Sequence, residues 1–402
     1  MRYLLLGAGR QGTAIAHDLL RNVSDTAKLT VVDRDAALLA RLGQRLAGDP
    51  RLETVAADIG DTGAVASLMR AASTVISAVP YWFNAELAAS AIAGRAHFMD
   101  LGGNNDVVRK QLALDAQARR RSVTIIPDCG LAPGLAGILA CHLHAGLERC
   151  ETLRIRVGGL PQRPRPPLHY SLSFSVEGLI NEYVEPALVV RNGREQTVPS
   201  LTEVETVRFP APYGELEAFL TSGGVSTLPQ TLAGRVRHLD YKTIRYKGHG
   251  EKMRLLGDLG CFSSRPLALA GGEVAPRALT ARLLEAILPH DEPDVVLLLI
   301  EAEGTTRRQP SRRTLRIIDT YDQTNGLSAM ARMTGFPAAI IARLLAAGAI
   351  AETGAKPQET VVPTEIMIRE LAARGVTIEE REEPPAGDGP DTSAAGNAGA
   401  RE

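Results

Sequence analysis

Along the first third of the chain, short apolar runs alternate with stretches whose apolar residues recur every three to four positions. The runs at 2–6, 28–32, 54–57, 74–79, 97–101 and 123–127 read as buried strands. The stretches at 36–46, 63–70, 84–93 and 107–120 carry helical periodicity. Strands and helices in regular alternation predict a parallel, doubly wound sheet, which binds ligands at the carboxyl ends of its strands. After Pro133-Gly134 the rhythm changes. A helix is predicted at 135–144, strands at 152–157, 188–191, 204–209, 241–246, 295–302 and 315–321, and helices at 176–183, 251–259 and 279–288. That mixture predicts an α+β unit. A long apolar helix at 329–347 is expected to pack back on the first unit. The expected division is therefore 1–133, 134–325 and 326–378. Residues 379–402 are rich in Glu, Pro, Gly and Ser and are expected to form a disordered tail.

The turn after the first strand reads Gly7-Ala8-Gly9-Arg10-Gln11-Gly12, and the second strand ends on Asp33. Strand, G-x-G-x-x-G, helix, strand and acid in this order are the signature of a Rossmann-type dinucleotide site. Gly7 permits the tight turn, Gly9 lets backbone approach a pyrophosphate, and Gly12 lets helix and sheet pack closely. Arg10 and Gln11 lie at the helix N-terminus, whose free N–H groups and dipole favour phosphate. Asp33 is expected to accept from the ribose hydroxyls and to repel a 2′-phosphate, which favours NAD as cofactor. Arg34 beside it argues the other way, because an Arg can accommodate that phosphate. Asp58, Ala78-Val79-Pro80 and Leu101-Gly102 follow later strands and complete the expected crevice.

Composition narrows the partners. The net charge is −1 and charged residues make up 23%, so nothing favours nucleic acid or an anionic membrane. No wholly apolar run approaches the roughly 18 residues of a membrane span. The Leu4-Leu5-Leu6 run is broken at once by glycines and Arg10, unlike a signal-peptide core. Cys129, Cys141, Cys150 and Cys261 match no zinc or C-x-x-C spacing, so no metal is expected and a reduced, cytoplasmic setting is.

At Ile126-Pro127-Asp128-Cys129-Gly130-Leu131-Ala132-Pro133-Gly134 the chain resembles the saccharopine dehydrogenase-like superfamily, and within it most nearly the L-lysine 6-dehydrogenases. Further stretches carry the likeness, in the same order: Phe174-Ser175-Val176-Glu177-Gly178-Leu179, Leu216-Glu217-Ala218-Phe219, Thr221-Ser222-Gly223-Gly224, Tyr241-Lys242-Thr243-Ile244-Arg245-Tyr246 and Gly248-His249-Gly250-Glu251-Lys252-Met253. The resemblance implies a Rossmann domain joined to an α+β substrate and dimerisation domain. It implies oxidative deamination of the ε-amine of L-lysine, giving ammonia, NADH and a semialdehyde that cyclises. It also implies a homo-oligomer, built through the substrate-domain sheet. By motif, Leu131, Phe174, Tyr241, Thr243 and Arg245 would line the substrate site. The family pattern often places His where this chain has Glu182.

The residues themselves suggest roles. Positions 241, 243 and 245 share one face of a strand. A phenol, a hydroxyl and a guanidinium there suit an amino-acid carboxylate, which Arg245 would grip with two donors. The alternative is a surface Arg on an edge strand. Phe174 would wall the substrate against the nicotinamide, or belong to ordinary core. Asp128, just past the sixth strand, is the expected general base, with a turn or cap role as its alternative. Tyr81, a second catalytic candidate, and Asn84 would flank the nicotinamide or simply open a helix. Glu177 and Glu182 are candidates for the α-ammonium, or helix-surface acids. His249 is a site residue or a structural histidine. A secondary-amine dehydrogenase of the saccharopine or carboxynorspermidine type would need further anchors, for which Arg165, Arg208 and Arg254 are available. A non-catalytic NAD-sensing protein on the same scaffold is the third reading.

Overall fold

The computed structural model describes residues 1–290 and 292–383. Six strands arise where the apolar runs predict them: β1 (Arg2–Leu6), β2 (Lys28–Asp33), β3 (Leu52–Ala56), β4 (Thr74–Ser77), β5 (His97–Asp100) and β6 (Thr124–Ile126). All pair in parallel. Leu4, Leu5, Leu6, Val31, Val75 and Ile76 are fully buried, because helices cover both faces. The predicted helix at 107–120 is two helices, Asn105–Leu112 and Asp115–Arg120. The first starts early because the Asn104 side chain accepts from the N–H groups of Asp106 and Val107.

The second sheet follows from β7 (Arg149–Pro161), β8 (Ala187–Arg191), β9 (Arg194–Val198), β10 (Glu205–Phe209), β11 (Gly214–Leu220) and β12 (Val236–Arg245). A small hairpin, β13 (Leu267–Leu269) and β14 (Gly272–Val274), stands apart from it. Two long strands, β15 (Asp294–Thr306) and β16 (Gln309–Thr320), then extend the sheet. Its order is β10-β11-β12-β7-β15-β16, with β12 parallel to β7.

The last part of the chain returns to both sheets. β17 (Gly354–Ala355) pairs with β6 and makes the seventh strand of the first sheet. β18 (Ile378–Glu383) pairs with β16 at the edge of the second. The expected disorder therefore fails at 379–383, while 384–402 lie outside the described residues. The segment reads as unburiable acid, but β16 sets arginines opposite it. Arg316 pairs with Glu379 at 2.5 Å and Arg313 pairs with Glu380.

Helix Ala329–Ala346 is long and apolar enough to cross a membrane, yet most of it is buried within the protein. It lies against helix Arg10–Arg21, where a side chain at Gly335 would stand 2.8 Å from the Ala14 methyl. Both carboxylate oxygens of Asp294, at the start of β15, accept from its first N–H groups, Ala329 at 2.6 Å and Met330 at 2.9 Å. A buried bidentate pair, Arg374 to Asp18 at 2.6 and 2.9 Å, ties the C-terminal segment to helix Arg10–Arg21.

Candidate active site

The cofactor end is built by backbone. Gly7 takes φ 102°, and a side chain there would meet the Ala78 carbonyl at 2.7 Å. A side chain at Gly12 would run into the Gly7 carbonyl. Gly9 caps helix Arg10–Arg21 with no side-chain partner, and the space beyond its Cα is open. A helix N-terminus with no side-chain cap is the kind of end that favours an anion. Asp33 accepts from Ala8 N–H at 2.7 Å and Asp35 N–H at 2.9 Å. Each oxygen keeps a lone pair for a ribose hydroxyl. The Gln11 amide oxygen is buried with no partner among the described residues. Arg10 donates to the Leu172 carbonyl at 2.8 Å, joining the loop to the second unit. These residues fit a dinucleotide. Arg34 and Asp58 are exposed, and Asp58 spends one oxygen on Gly60 N–H at 2.8 Å. Ala78 and Val79 are half-buried and Pro80 is exposed, leading into the turn Tyr81–Phe83.

At the ends of β5 and β6, three acids are buried together: Asp100, Asp128 and Glu359. Asp100 is satisfied by Gln111 at 2.6 Å and Gly102 N–H at 2.8 Å. Glu359 accepts from Thr231 at 2.7 Å and Thr227 at 3.1 Å. Asp128 is held in the left-handed region at φ 63°. Ser226 donates to its Oδ2, while Oδ1 has no partner among the described residues. That free oxygen rests on Gly102, whose φ of 85° leaves no room for a side chain. Burial, and then the charge of Asp100, push the Asp128 carboxyl up to about 8, although the Ser226 hydrogen bond pulls it down. Leu101 lies beside this corner, half-buried. Leu131, five residues past β6, is buried in the core. The Tyr81 ring lies over Gly103 and edge-on to Trp82. Asn84 accepts from Ser77 at 2.7 Å, a structural role inside the helix entry.

The second unit supplies a buried polar cluster. Tyr241, Thr243 and Arg245 on β12 are buried together, so the surface-Arg alternative does not hold. Arg245 donates through Nε to the Tyr183 hydroxyl at 3.2 Å, through Nη1 to the Ile244 carbonyl at 3.0 Å, and through Nη2 to Glu182 at 3.3 Å. The Tyr170 ring lies under its guanidinium, 4.8 Å away. His249 is fully buried and bridges the Leu168 carbonyl and the Tyr183 hydroxyl, each at 2.9 Å. Its ring must donate to the carbonyl, so it accepts from Tyr183. Burial, and then Arg245, push the His249 imidazole down to about 3, so it stays neutral. Burial pushes the Glu182 carboxyl up to about 7 against the pull of Arg245. Glu182 keeps 27% of its side chain accessible.

One loop joins the two clusters. Thr221 shares a 2.6 Å hydrogen bond with Thr243, Gly224 sits against the Tyr241 ring, and Ser226 reaches Asp128. Two expected pocket residues lie elsewhere. Glu177 is exposed and paired with Arg277 at 2.7 Å, because it points off a different side of helix Val176–Val184 from Glu182. Phe174 is 37% exposed with its ring against Gly178, so it is neither core nor a packed wall. The spare arginines are engaged elsewhere: Arg165 pairs with Glu292, Arg208 with Glu215, and Arg254 donates to the Leu201 carbonyl. Tyr170, Tyr183, Ser226 and Glu359 have no motif to announce them. Only Ser226, just after the Thr221-Ser222-Gly223-Gly224 run, lies beside a signal in the sequence.

Comparison with known proteins agrees with this architecture. The model of the saccharopine dehydrogenase NADP binding domain matches residues 3–126, and that of the saccharopine dehydrogenase C-terminal domain matches 130–376. Saccharopine dehydrogenase [NADP(+), L-glutamate-forming] of Saccharomyces cerevisiae is 24% identical, over 94% of this chain and 98% of its own. The enzyme of that name from Pyricularia oryzae is 23% identical, over 74% of this chain and 66% of its own. The mitochondrial alpha-aminoadipic semialdehyde synthase of Bos taurus is 23% identical, over 88% of this chain but 45% of its own. The apo structure of the Saccharomyces cerevisiae saccharopine dehydrogenase (L-Glu forming) superposes with a TM-score of 0.77 at 21% identity, covering 95% of this chain and 99% of that one. With a nicotinamide-dinucleotide-binding sheet followed by a matched C-terminal domain, the chain belongs to the saccharopine dehydrogenase family.

Proposed function

We propose that this protein oxidatively deaminates the terminal primary amine of a lysine-type amino acid, with NAD as cofactor. One observation carries the reading. Arg245 has five N–H groups, and its three fixed bonds leave one free on each terminal nitrogen. Two parallel donors suit a single carboxylate. Glu182 beside them suits the α-ammonium of the same amino acid. Arg245 is the charge that acts on Glu182, whereas saccharopine carries further carboxylates that would call for cations of their own.

The chemistry follows from Asp128. A substrate ammonium must lose its proton before hydride can leave the neighbouring carbon. Asp128 takes that proton through its free Oδ1. A dinucleotide held at the Gly7-Ala8-Gly9 turn and Asp33 would supply the hydride acceptor. Asp128 passes its first proton to solvent. Water then adds to the resulting substrate iminium, with Asp128 taking a proton from it. Asp128 returns that proton to the nitrogen and takes the hydroxyl proton as ammonia leaves and an aldehyde forms. The semialdehyde can close on its own α-amine.

Asp33 supports NAD, since its carboxylate would face a 2′-phosphate. The relatives' names carry NADP(+), so this is where the chain is expected to differ. Purified protein should reduce NAD with L-lysine and release ammonia, and NADP should serve less well. Better turnover with NADP would sink the cofactor assignment. The second reading is a secondary-amine dehydrogenase, favoured by likeness to saccharopine dehydrogenase along nearly the whole chain. Turnover of saccharopine without ammonia would establish it instead.

A further inference from the structure

Two motif stretches contain nothing that reaches the reacting atoms: Leu216-Glu217-Ala218-Phe219 on β11, and Gly248-His249-Gly250 at the start of helix His249–Asp258. They are bonded to each other. Glu217 stands opposite Arg245 in the antiparallel β11–β12 ladder. One of its carboxylate oxygens accepts from Gly248 N–H at 2.8 Å, and the other from Gly250 N–H at 2.7 Å. The residue between them, His249, is held by its backbone in this way. The seat is close, since a side chain at Gly250 would stand 2.8 Å from the Phe219 ring. From there the His249 ring reaches two partners. The Leu168 carbonyl can only accept, so Nδ1 carries the hydrogen, and in the neutral ring Nε2 presents a lone pair. Nε2 takes the Tyr183 O–H at 2.9 Å. With its hydrogen turned to His249, the Tyr183 oxygen faces Arg245 Nε as an acceptor, at 3.2 Å. Arg245, Tyr183, His249, Glu217 and the strand ladder therefore close a circuit.

We propose that His249 and Glu217 are positioning residues for the substrate carboxylate: they orient the Tyr183 hydroxyl, which aims the Arg245 fork. The proposal rests on Arg245 as the carboxylate anchor. Neither residue is placed to touch substrate, because His249 is fully buried and Glu217 uses both oxygens on backbone N–H groups. The other contacts of Arg245 do not aim the fork by themselves. The Tyr170 ring, 4.8 Å below, holds the guanidinium plane but leaves it free to turn within that plane. Glu182 is 3.3 Å from Nη2, long for a charge-assisted bond, and its side chain is partly accessible. The Ile244 carbonyl holds Nη1, and one point leaves a pivot. The Tyr183 oxygen supplies the second point. A Tyr183 hydroxyl released from His249 can turn its own hydrogen toward Nε and push the fork away. Two parallel bonds to one carboxylate need both donors in place at once, so a small turn of the fork is felt in substrate affinity.

Steady-state kinetics on the full chain test this, with 1,5-diaminopentane, which has no carboxylate, beside lysine. His249→Phe replaces the ring by one that makes neither bond. It should raise KM for lysine by roughly 10- to 100-fold, change kcat much less, and leave KM for the diamine where it was. Tyr183→Phe, which removes only the hydroxyl, should give the same pattern. The double variant should be no worse than either single one, because both act through one bond. His249→Gln, whose amide oxygen can accept from Tyr183, should recover most of the loss. Glu217→Gln, which keeps one acceptor, should raise KM for lysine less than His249→Phe does. Unchanged circular dichroism and NADH binding would show that the variants fold. Equal losses on lysine and the diamine, additive losses in the double variant, or an unchanged KM in Tyr183→Phe would overturn the circuit. Arg245→Met separates that failure from failure of the anchor. If it alone raises KM for lysine, the anchor stands and the circuit falls; if it too leaves KM unchanged, both fall.

Discussion

Removing the Ser226 hydroxyl should move the acid limb of the pH profile upward. Ser226 donates to Asp128 Oδ2, and that bond opposes the burial and the Asp100 charge that raise the carboxyl to about 8. A hydrogen bond to a charged group is worth about 1.5–3 kcal/mol, and one unit of pKa is about 1.4 kcal/mol. Loss of the bond should therefore raise the apparent pKa by roughly 1–2 units, less whatever a water entering the gap restores. The assay is kcat/KM for lysine against pH, wild type beside Ser226→Ala. The substrate ammonium titrates equally in both, so the difference between the curves isolates the enzyme group. An acid limb that stays in place, or moves down, would refute Asp128 as the base that Ser226 tunes.

Asp128→Asn should stabilise the fold at alkaline pH. The carboxyl is raised from 3.8 to about 8, so the folded protein holds a proton that the unfolded chain has released. The wild-type penalty is absent at low pH, grows between those values, and is at most on the order of 5 kcal/mol above them. Melting temperatures at pH 5 and pH 9 should show the variant's advantage widening, and a constant gap would contradict the assignment. Arg245→Met should raise KM for lysine by about 2–5 kcal/mol, roughly 30-fold to several thousand-fold. Turnover of 1,5-diaminopentane, lysine without its carboxylate, should change little, and equal losses on both substrates would remove Arg245 from carboxylate binding. Gly102→Ala should lower kcat by roughly 100-fold by displacing Asp128 Oδ1, with NAD affinity measured as the control. Wild-type kcat in that variant would mean Asp128 Oδ1 is not where the proton goes.

The sequence disclosed what physics makes periodic. Strands buried on both faces stand out as apolar runs, and the shared face of Tyr241, Thr243 and Arg245 follows from a period of two. Open or edge strands do not stand out. β9 is exposed along almost its whole length, and β18 is acid apart from Ile378 and Arg381, so their pairing depends on partners distant in the chain. Glu177 and Glu182 look alike in composition. Five residues on a helix turn them about 140° apart, which sends one to Arg277 and the other to Arg245. Ser226, Tyr170 and Glu359 join the site only when three separate parts of the chain meet, and no local pattern records that.

The first sheet takes its last strand from residues 354–355, and its helix Arg10–Arg21 is held by a helix beginning at 329 and by Arg374. During synthesis the dinucleotide site would therefore emerge early yet wait for nearly all of the remaining chain before its support is complete. Such long-range closure slows folding and prolongs exposure of apolar surface. An isolated fragment ending near 133 should accordingly bind NAD poorly and aggregate. A circular permutant that places the C-terminal helices ahead of β1 should fold faster than the natural order.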